Sequence, residues 1–132
     1  DALDVAKINV EKHQVEQQVH LIKSDLFDQL PQKKYDLIIS NPPYVDANDY
    51  NTMPTEFHHE PMMALDAGLD GLDFVERILE QAKSYLADDG ILIVEVGNSS
   101  RALEKTYPNM PFLWLDFEYG GHGVFLLKAK QL

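Results

Sequence analysis

The chain has 132 residues, which suffices for one domain with a hydrophobic core, and it has no cysteine, which excludes disulfides and thiolate metal sites. Apolar residues make up 45% and the net charge is −11, a globular composition without the basic surface that DNA binding requires. No apolar stretch reaches the roughly 18 residues of a membrane helix and no signal peptide is evident, so we expect a cytoplasmic protein without a membrane partner.

The first half of the chain predicts a helix and two short strands. Apolar positions in residues 1–13 follow the spacing of an amphipathic helix, and residues 18–25 predict a short strand. A turn at residues 26–31 leads to residues 35–40, whose continuous apolar run is typical of a strand covered on both faces. Residues 41–69 show no periodicity and predict a long loop, which in compact domains is usually functional or disordered.

The clearest helical pattern lies in residues 70–90, where apolar side chains recur at helical spacing. Asp70 is the expected N-cap of this helix, and Gly90 is the residue expected just after its C-terminus. Residues 91–97 then predict a buried strand with one charged residue.

The end of the chain predicts a short helix at residues 100–108, stopped by Pro108, and two strands at residues 112–119 and 123–130. The short glycine-rich link between these strands favours an antiparallel hairpin. Because strands and helices alternate before the hairpin, the pattern indicates an α/β doubly wound fold with an antiparallel pair at its end.

Polar residues follow three of the predicted strands. They lie in Ser24–Phe27, in Ser40–Tyr44 and in Val96–Asn98. Since open α/β sheets bind ligands at the carboxyl ends of parallel strands, we expect these clusters to face one crevice. Asp25 could accept a hydrogen bond from a ligand's amino group there, or it could cap the turn that follows it.

The most specific stretch is Ser-Asn-Pro-Pro-Tyr. The side-chain oxygen of Asn41 and the carbonyl of Pro42 can accept the two hydrogens of a planar NH₂ group, and Tyr44 can pack against its face. Pro42 and Pro43 fix the backbone that carries these acceptors. Drawing both hydrogens toward acceptors favours a pyramidal nitrogen that can attack a methyl group, chiefly through positioning and electrostatics. The alternative is a stiff turn after a strand.

This motif, residues 40–44, resembles the amino-methyltransferase signature of class I S-adenosylmethionine-dependent enzymes. Residues 1–13, 24–27 and 57–74 are similar to segments of the protein-(glutamine-N5) methyltransferases within that class. His-His before Glu-Pro in residues 58–61 is closest to the branch that modifies the third large-subunit ribosomal protein. The resemblance covers essentially the whole chain.

The resemblance implies a Rossmann-like class I fold with a C-terminal antiparallel hairpin, S-adenosyl-L-methionine as cofactor, no metal, and a basic ribosomal protein as partner. Asn41 and Pro42 would hold the target amide, and Tyr44 would pack on the glutamine. Pro43 shapes the loop, and Glu60 is expected on the substrate side.

The same resemblance implies that Asp25 and Leu26 contact the cofactor's adenine and that Asn41 also lies against the cofactor. The family's glycine-rich loop is absent, so we expect residues 1–132 to be the C-terminal part of one catalytic domain that lacks its first two strands and is inactive alone. Residues 35–40 would then present an apolar edge that invites self-association.

Other interpretations stay open at this point. A release-factor glutamine methyltransferase shares the motif, as does a DNA adenine-N6 methyltransferase, although the charge of −11 argues against the latter. A metal site could be formed by His58-His59-Glu60 with His20 and His122, but adjacent histidines lack the i, i+4 spacing of a helical zinc pair. A binding module without catalysis is the remaining alternative.

Overall fold

The computed structural model describes residues 2–43 and 72–132. The chain divides into two compact units, residues 1–32 and residues 33–132. No helix within the described ranges is long and apolar enough to cross a membrane.

The first unit begins with the predicted helix, α1, which spans Ala2–His13. It ends in a Schellman motif, in which the amide of Val15 donates to the carbonyl of Val10 at 3.2 Å and the amide of Gln14 donates to the carbonyl of Glu11 at 3.1 Å. Gln14 adopts the left-handed conformation that this motif requires, with a φ of 56°.

The strand predicted at residues 18–25 is wrong for this structure, since these residues pair with none of the described strands. An extended segment becomes a strand only when a neighbour shares its backbone hydrogen bonds. The apolar side chains that suggested the strand, Val19, Leu21 and Ile22, are exposed instead of buried. A turn follows at residues 25–30, close to the turn predicted at residues 26–31.

The second unit contains a four-stranded sheet. Its strands are β1 (Tyr35–Ser40), β2 (Leu86–Glu95), β3 (Leu113–Trp114) and β4 (Val124–Lys128), in the spatial order β1-β2-β4-β3. β1 and β2 are parallel, whereas β4 is antiparallel to both β2 and β3. The predicted α/β class and its terminal antiparallel hairpin are therefore confirmed, although β3 is much shorter than the predicted strand.

Helix α2, Asp73–Tyr85, is shorter than predicted. Its N-cap is Leu72, which makes no side-chain capping bond, and Asp70, the expected N-cap, lies outside the described residues. At the C-terminus of the helix, the carbonyl of Ser84 accepts a hydrogen bond from Nζ of Lys34, which lies outside the helix, at 2.8 Å.

Gly90 does not end the helix; it lies inside β2, which begins directly after α2. The register with β1 jumps from Tyr35↔Leu86 to Leu37↔Ile91, so β2 bulges between Leu86 and Ile91, a stretch that includes Gly90. A Cβ atom at Gly90 would lie 2.9 Å from the carbonyl oxygen of Ala87 in the same strand and 3.0 Å from the carbonyl oxygen of Tyr35 in β1. The bulge and the neighbouring strand together therefore favour glycine at this position.

A 3₁₀ turn at Gly97–Ser99 leads into helix α3, Ser100–Thr106, which ends before Pro108 as predicted. The core combines the apolar stripe of α2 with one face of the sheet, and its largest members include Ile78, Leu92, Phe125 and Leu127. Phe125 packs edge-on against Phe112, with ring centroids 4.9 Å apart.

The opposite face of the sheet is apolar but open to solvent. Leu37 is 49% exposed, Ile39 is 68% exposed and Leu113 is 58% exposed. The prediction that residues 35–40 are covered on both faces is therefore wrong. β1 is instead an edge strand of this sheet with exposed apolar side chains, which agrees with the expectation that residues 35–40 present an apolar edge.

Candidate functional site

The carboxyl ends of β1 and β2 lie side by side at one edge of the sheet. Ser40 pairs with Val94, Val94 pairs with Phe125, and Phe125 pairs with Trp114, which forms one row across all four strands. The residues that follow β1, β2 and β3, and those that precede β4, therefore lie beyond this row. We call this edge of the sheet the carboxyl edge.

At the exit of β1, Pro42 is buried, Pro43 is half-buried and Asn41 is exposed. A buried ring with a fixed φ anchors the backbone, while the amide one residue earlier stays at the surface. The structure therefore places Asn41 at the carboxyl edge, where the sequence predicts it. Tyr44 and Glu60 lie outside the described residues.

The exit of β2 is held by a close backbone contact with the start of β4. The amide of Val96 donates to the carbonyl of Gly123 at 2.7 Å. A Cβ atom on Gly123 would lie 2.7 Å from the Cα atom of Gly97, which is closer than real Cβ atoms approach. Gly97 and Gly123 both have positive φ, 48° and 71°. Glycine is therefore required at Gly123 for space and favoured at both positions by conformation.

A side-chain hydrogen bond closes the same corner, since Nε2 of His122 lies 2.9 Å from Oδ1 of Asn98. An amide oxygen only accepts, so Nε2 carries the hydrogen in this bond. The sequence pattern did not predict this pairing or the glycine contact. The available signal was that Gly97 ends one predicted strand and Gly123 opens another.

His122 was one of the candidate ligands of the alternative metal site, but here its Nε2 atom is hydrogen-bonded to the amide of Asn98. Within residues 2–43 and 72–132, no group of three or more His, Cys, Asp or Glu side chains is placed to hold a metal ion. His58, His59 and Glu60 lie outside the described ranges.

In the first unit, the turn that contains Asp25 and Leu26 has an unusual backbone. Leu26 has a φ of 48°, which costs a non-glycine residue about 1–2 kcal/mol. The turn is stabilised by the Ser24 hydroxyl, which accepts a hydrogen bond from the Gln29 amide at 2.9 Å, and by buried Phe27. Asp25 is exposed. Strained turns of this kind concentrate at ligand sites, which fits the predicted role of Asp25 and Leu26. That they face Asn41 across one crevice stays a prediction.

Two groups with shifted pKa values lie at the opposite end of β2. Nζ of Lys130 donates to Asp89 at 2.8 Å, and this hydrogen bond lowers the pKa of Asp89 and raises that of Lys130. Asp89 precedes Ile91, which pairs with Lys128 at the far end of the ladder from Val94. This exposed ion pair therefore lies away from the carboxyl edge.

Comparison with known proteins adds two findings. A family model described as methyltransferase small domain matches residues 1–68, which include the turn at Asp25 and the Asn-Pro-Pro-Tyr motif. Two curated relatives carry the name ribosomal protein uL3 glutamine methyltransferase. The one from Francisella tularensis subsp. tularensis is 55% identical over all 132 residues of this chain, and the one from Neisseria gonorrhoeae is 48% identical over the same span. The chain spans 42% and 44% of their lengths, less than half of each relative.

Proposed function

Because the chain belongs to the methyltransferase small domain family, we propose that its protein methylates a glutamine side-chain amide in ribosomal protein uL3. The observation that carries the proposal is the exit of β1, where an exposed Asn41 is followed by a buried Pro42 at the carboxyl edge. The two relatives named for this activity support the choice of substrate.

The residues of this exit suit an amide nitrogen as the reacting atom. The side-chain oxygen of Asn41 accepts one hydrogen of the target NH₂ group, and the carbonyl of Pro42 accepts the other. The buried ring of Pro42 fixes the backbone that carries both acceptors, so they stabilise the nitrogen as it becomes pyramidal and gains positive charge. Pro43 keeps the backbone rigid, Tyr44 packs on the glutamine, and Glu60 lies on the substrate side.

S-adenosyl-L-methionine fits as the cofactor, and when bound it supplies a methyl group activated by a positively charged sulfur. The turn at residues 25–30 suits its adenine, because the exposed carboxylate of Asp25 can accept from an amino group and Leu26 offers an apolar contact. Asn41 holds the target amide in this proposal and, as the resemblance implies, also contacts the cofactor. The proposal includes no metal ion.

The net charge of −11 suits a basic protein as the substrate. Opposite charges accelerate encounter, and the acceleration weakens as salt screens the charges. The composition also favours a protein substrate over DNA, whose phosphates repel an acidic surface. We place the reaction in the cytoplasm, where ribosomal proteins are made.

The test is Asn41→Ala in the complete natural protein, with Asn109→Ala as the matched control, because Asn109 is also an exposed asparagine of the second unit. Loss of one preorganised hydrogen-bonding group at a reacting centre typically slows catalysis about 10²–10³-fold. We expect that loss in uL3 methylation for Asn41→Ala and full activity for Asn109→Ala, measured by mass spectrometry. Unchanged activity of a folded Asn41→Ala variant would contradict the proposed role.

A further inference from the structure

The connection between β3 and β4, residues 116–122, projects from the carboxyl edge. Trp114 lies in the same row as Ser40, and the last ladder contact before the connection is the amide of Leu115 donating to the carbonyl of Val124 at 2.8 Å. The hairpin loop, as we call residues 116–122, therefore lies beyond the same edge as Asn41.

The hairpin loop exposes aromatic and acidic side chains in alternation. Phe117 is 50% exposed and Tyr119 is 95% exposed, and the intervening acidic residues, Asp116 and Glu118, are exposed as well. The loop contains no Lys or Arg. Aromatic rings left in water beside carboxylates form a surface suited to a cationic side chain, which can pack on a ring and pair with an acid.

The hairpin loop is held in place relative to the exit of β1. Its last residue, His122, is hydrogen-bonded to Asn98 at 2.9 Å, and Gly123 rests against Gly97. Both partners follow β2, and β2 is the direct neighbour of β1 in the sheet. The loop and Asn41 are thus connected through one sheet rather than through a flexible link.

The sheet also sets how far the loop lies from the target amide. β4 is two strands away from β1 and β3 is three strands away. At about 4.8 Å per strand, these separations are about 10 Å and 14 Å. An extended polypeptide advances about 3.3 Å per residue, so three or four residues span the gap.

We propose that the hairpin loop binds the substrate polypeptide three or four residues from the target glutamine and selects Lys or Arg at that point. Tyr119 and Phe117 pack on the cationic side chain, and Asp116 and Glu118 pair with its charge. The inference rests on the proposed function and adds a specificity site to it.

The test uses the complete natural protein and synthetic glutamine peptides that carry one Lys either four or eight residues from the glutamine. We expect Tyr119→Ala with Glu118→Gln to raise KM about tenfold for the first peptide, at nearly unchanged kcat, and to leave the second peptide unaffected. Glu80→Gln is the matched control, because it removes the same charge from an exposed position on α2.

The outcomes separate the two proposals. If the unsubstituted protein adds no methyl group to glutamine, the proposed function fails and this inference fails with it. If methylation occurs but the double variant keeps the original KM, the inference alone is overturned. It is also overturned if Glu80→Gln raises KM equally, because the effect would then be general charge rather than contact with the hairpin loop.

Discussion

Replacing Gly123 by alanine tests the contact that joins β4 to the exit of β2. The matched control is Gly120→Ala in the same connection. Both glycines have positive φ, 71° at Gly123 and 94° at Gly120, so both substitutions incur the cost of a left-handed L-residue, about 1–2 kcal/mol. Only at Gly123 would the added Cβ atom also collide with other atoms, since nothing lies within 4 Å of a Cβ atom at Gly120.

The additional cost at Gly123 comes from backbone that cannot rotate away. The new methyl group would lie 2.7 Å from both Cα and N of Gly97, so the two segments must separate. Separation breaks the 2.7 Å hydrogen bond from the buried amide of Val96 to the carbonyl of Gly123. A buried donor left unsatisfied costs about 1–3 kcal/mol, so we expect a total of about 2–5 kcal/mol for Gly123→Ala against about 1–2 kcal/mol for Gly120→Ala.

Urea unfolding monitored by the fluorescence of Trp114, the single tryptophan, measures both free energies of unfolding. Amide exchange at Val96 should also accelerate in Gly123→Ala and stay slow in Gly120→Ala. Equal destabilisation by the two substitutions would refute the reasoning, because it would mean that conformation alone makes glycine necessary at Gly123.

Two further predictions concern other parts of the second unit. Lys130→Ala should raise the pKa of Asp89 toward its ordinary value, because the hydrogen bond from Lys130 is the main cause of the lowered pKa. Carboxyl chemical shifts followed through a pH titration measure this pKa. If the pKa of Asp89 is the same in the variant, the hydrogen bond is not what lowers it. Since the folded-state pKa of Asp89 is lowered, its small contribution to stability is present above the unfolded-state pKa and is lost as pH falls through the folded-state value. The 132-residue chain should self-associate at micromolar concentration through the exposed edge at β1. In sedimentation experiments, Ile39→Lys should weaken this association. A stable monomer of the unsubstituted chain would show that the exposed edge does not drive association.

The elements that the sequence predicted well are those whose own side chains define them. The apolar stripe of α2 specifies a helix with one buried face. Helix α3 ends before Pro108 because proline itself cannot continue a helix. The extended segment at residues 18–25 was predicted as a strand because its pattern is locally correct, but a strand also needs a paired neighbour. Gly90 was misassigned for a similar reason, since it lies in a strand whose pairing partner, β1, is remote in sequence.

The same distinction applies to the candidate site. Asn41 and Pro42 were predicted as a unit because they are adjacent and follow an apolar run, and the structure places Asn41 at the surface with Pro42 buried behind it. The contacts of Gly123 with Gly97 and of His122 with Asn98 could not be predicted, since each depends on the register between β2 and β4. That register follows from packing of the whole sheet rather than from any short pattern.

Mass spectrometry of the methylated product tests most directly whether the exit of β1 positions a glutamine amide for methylation. The complete natural protein is incubated with an isotopically labelled methyl donor and equal amounts of uL3, a release factor and DNA. We predict one labelled methyl group on a glutamine side-chain nitrogen of uL3, absent with Asn41→Ala. Label on the release factor or on adenine, or label on uL3 that persists in Asn41→Ala, would contradict the account.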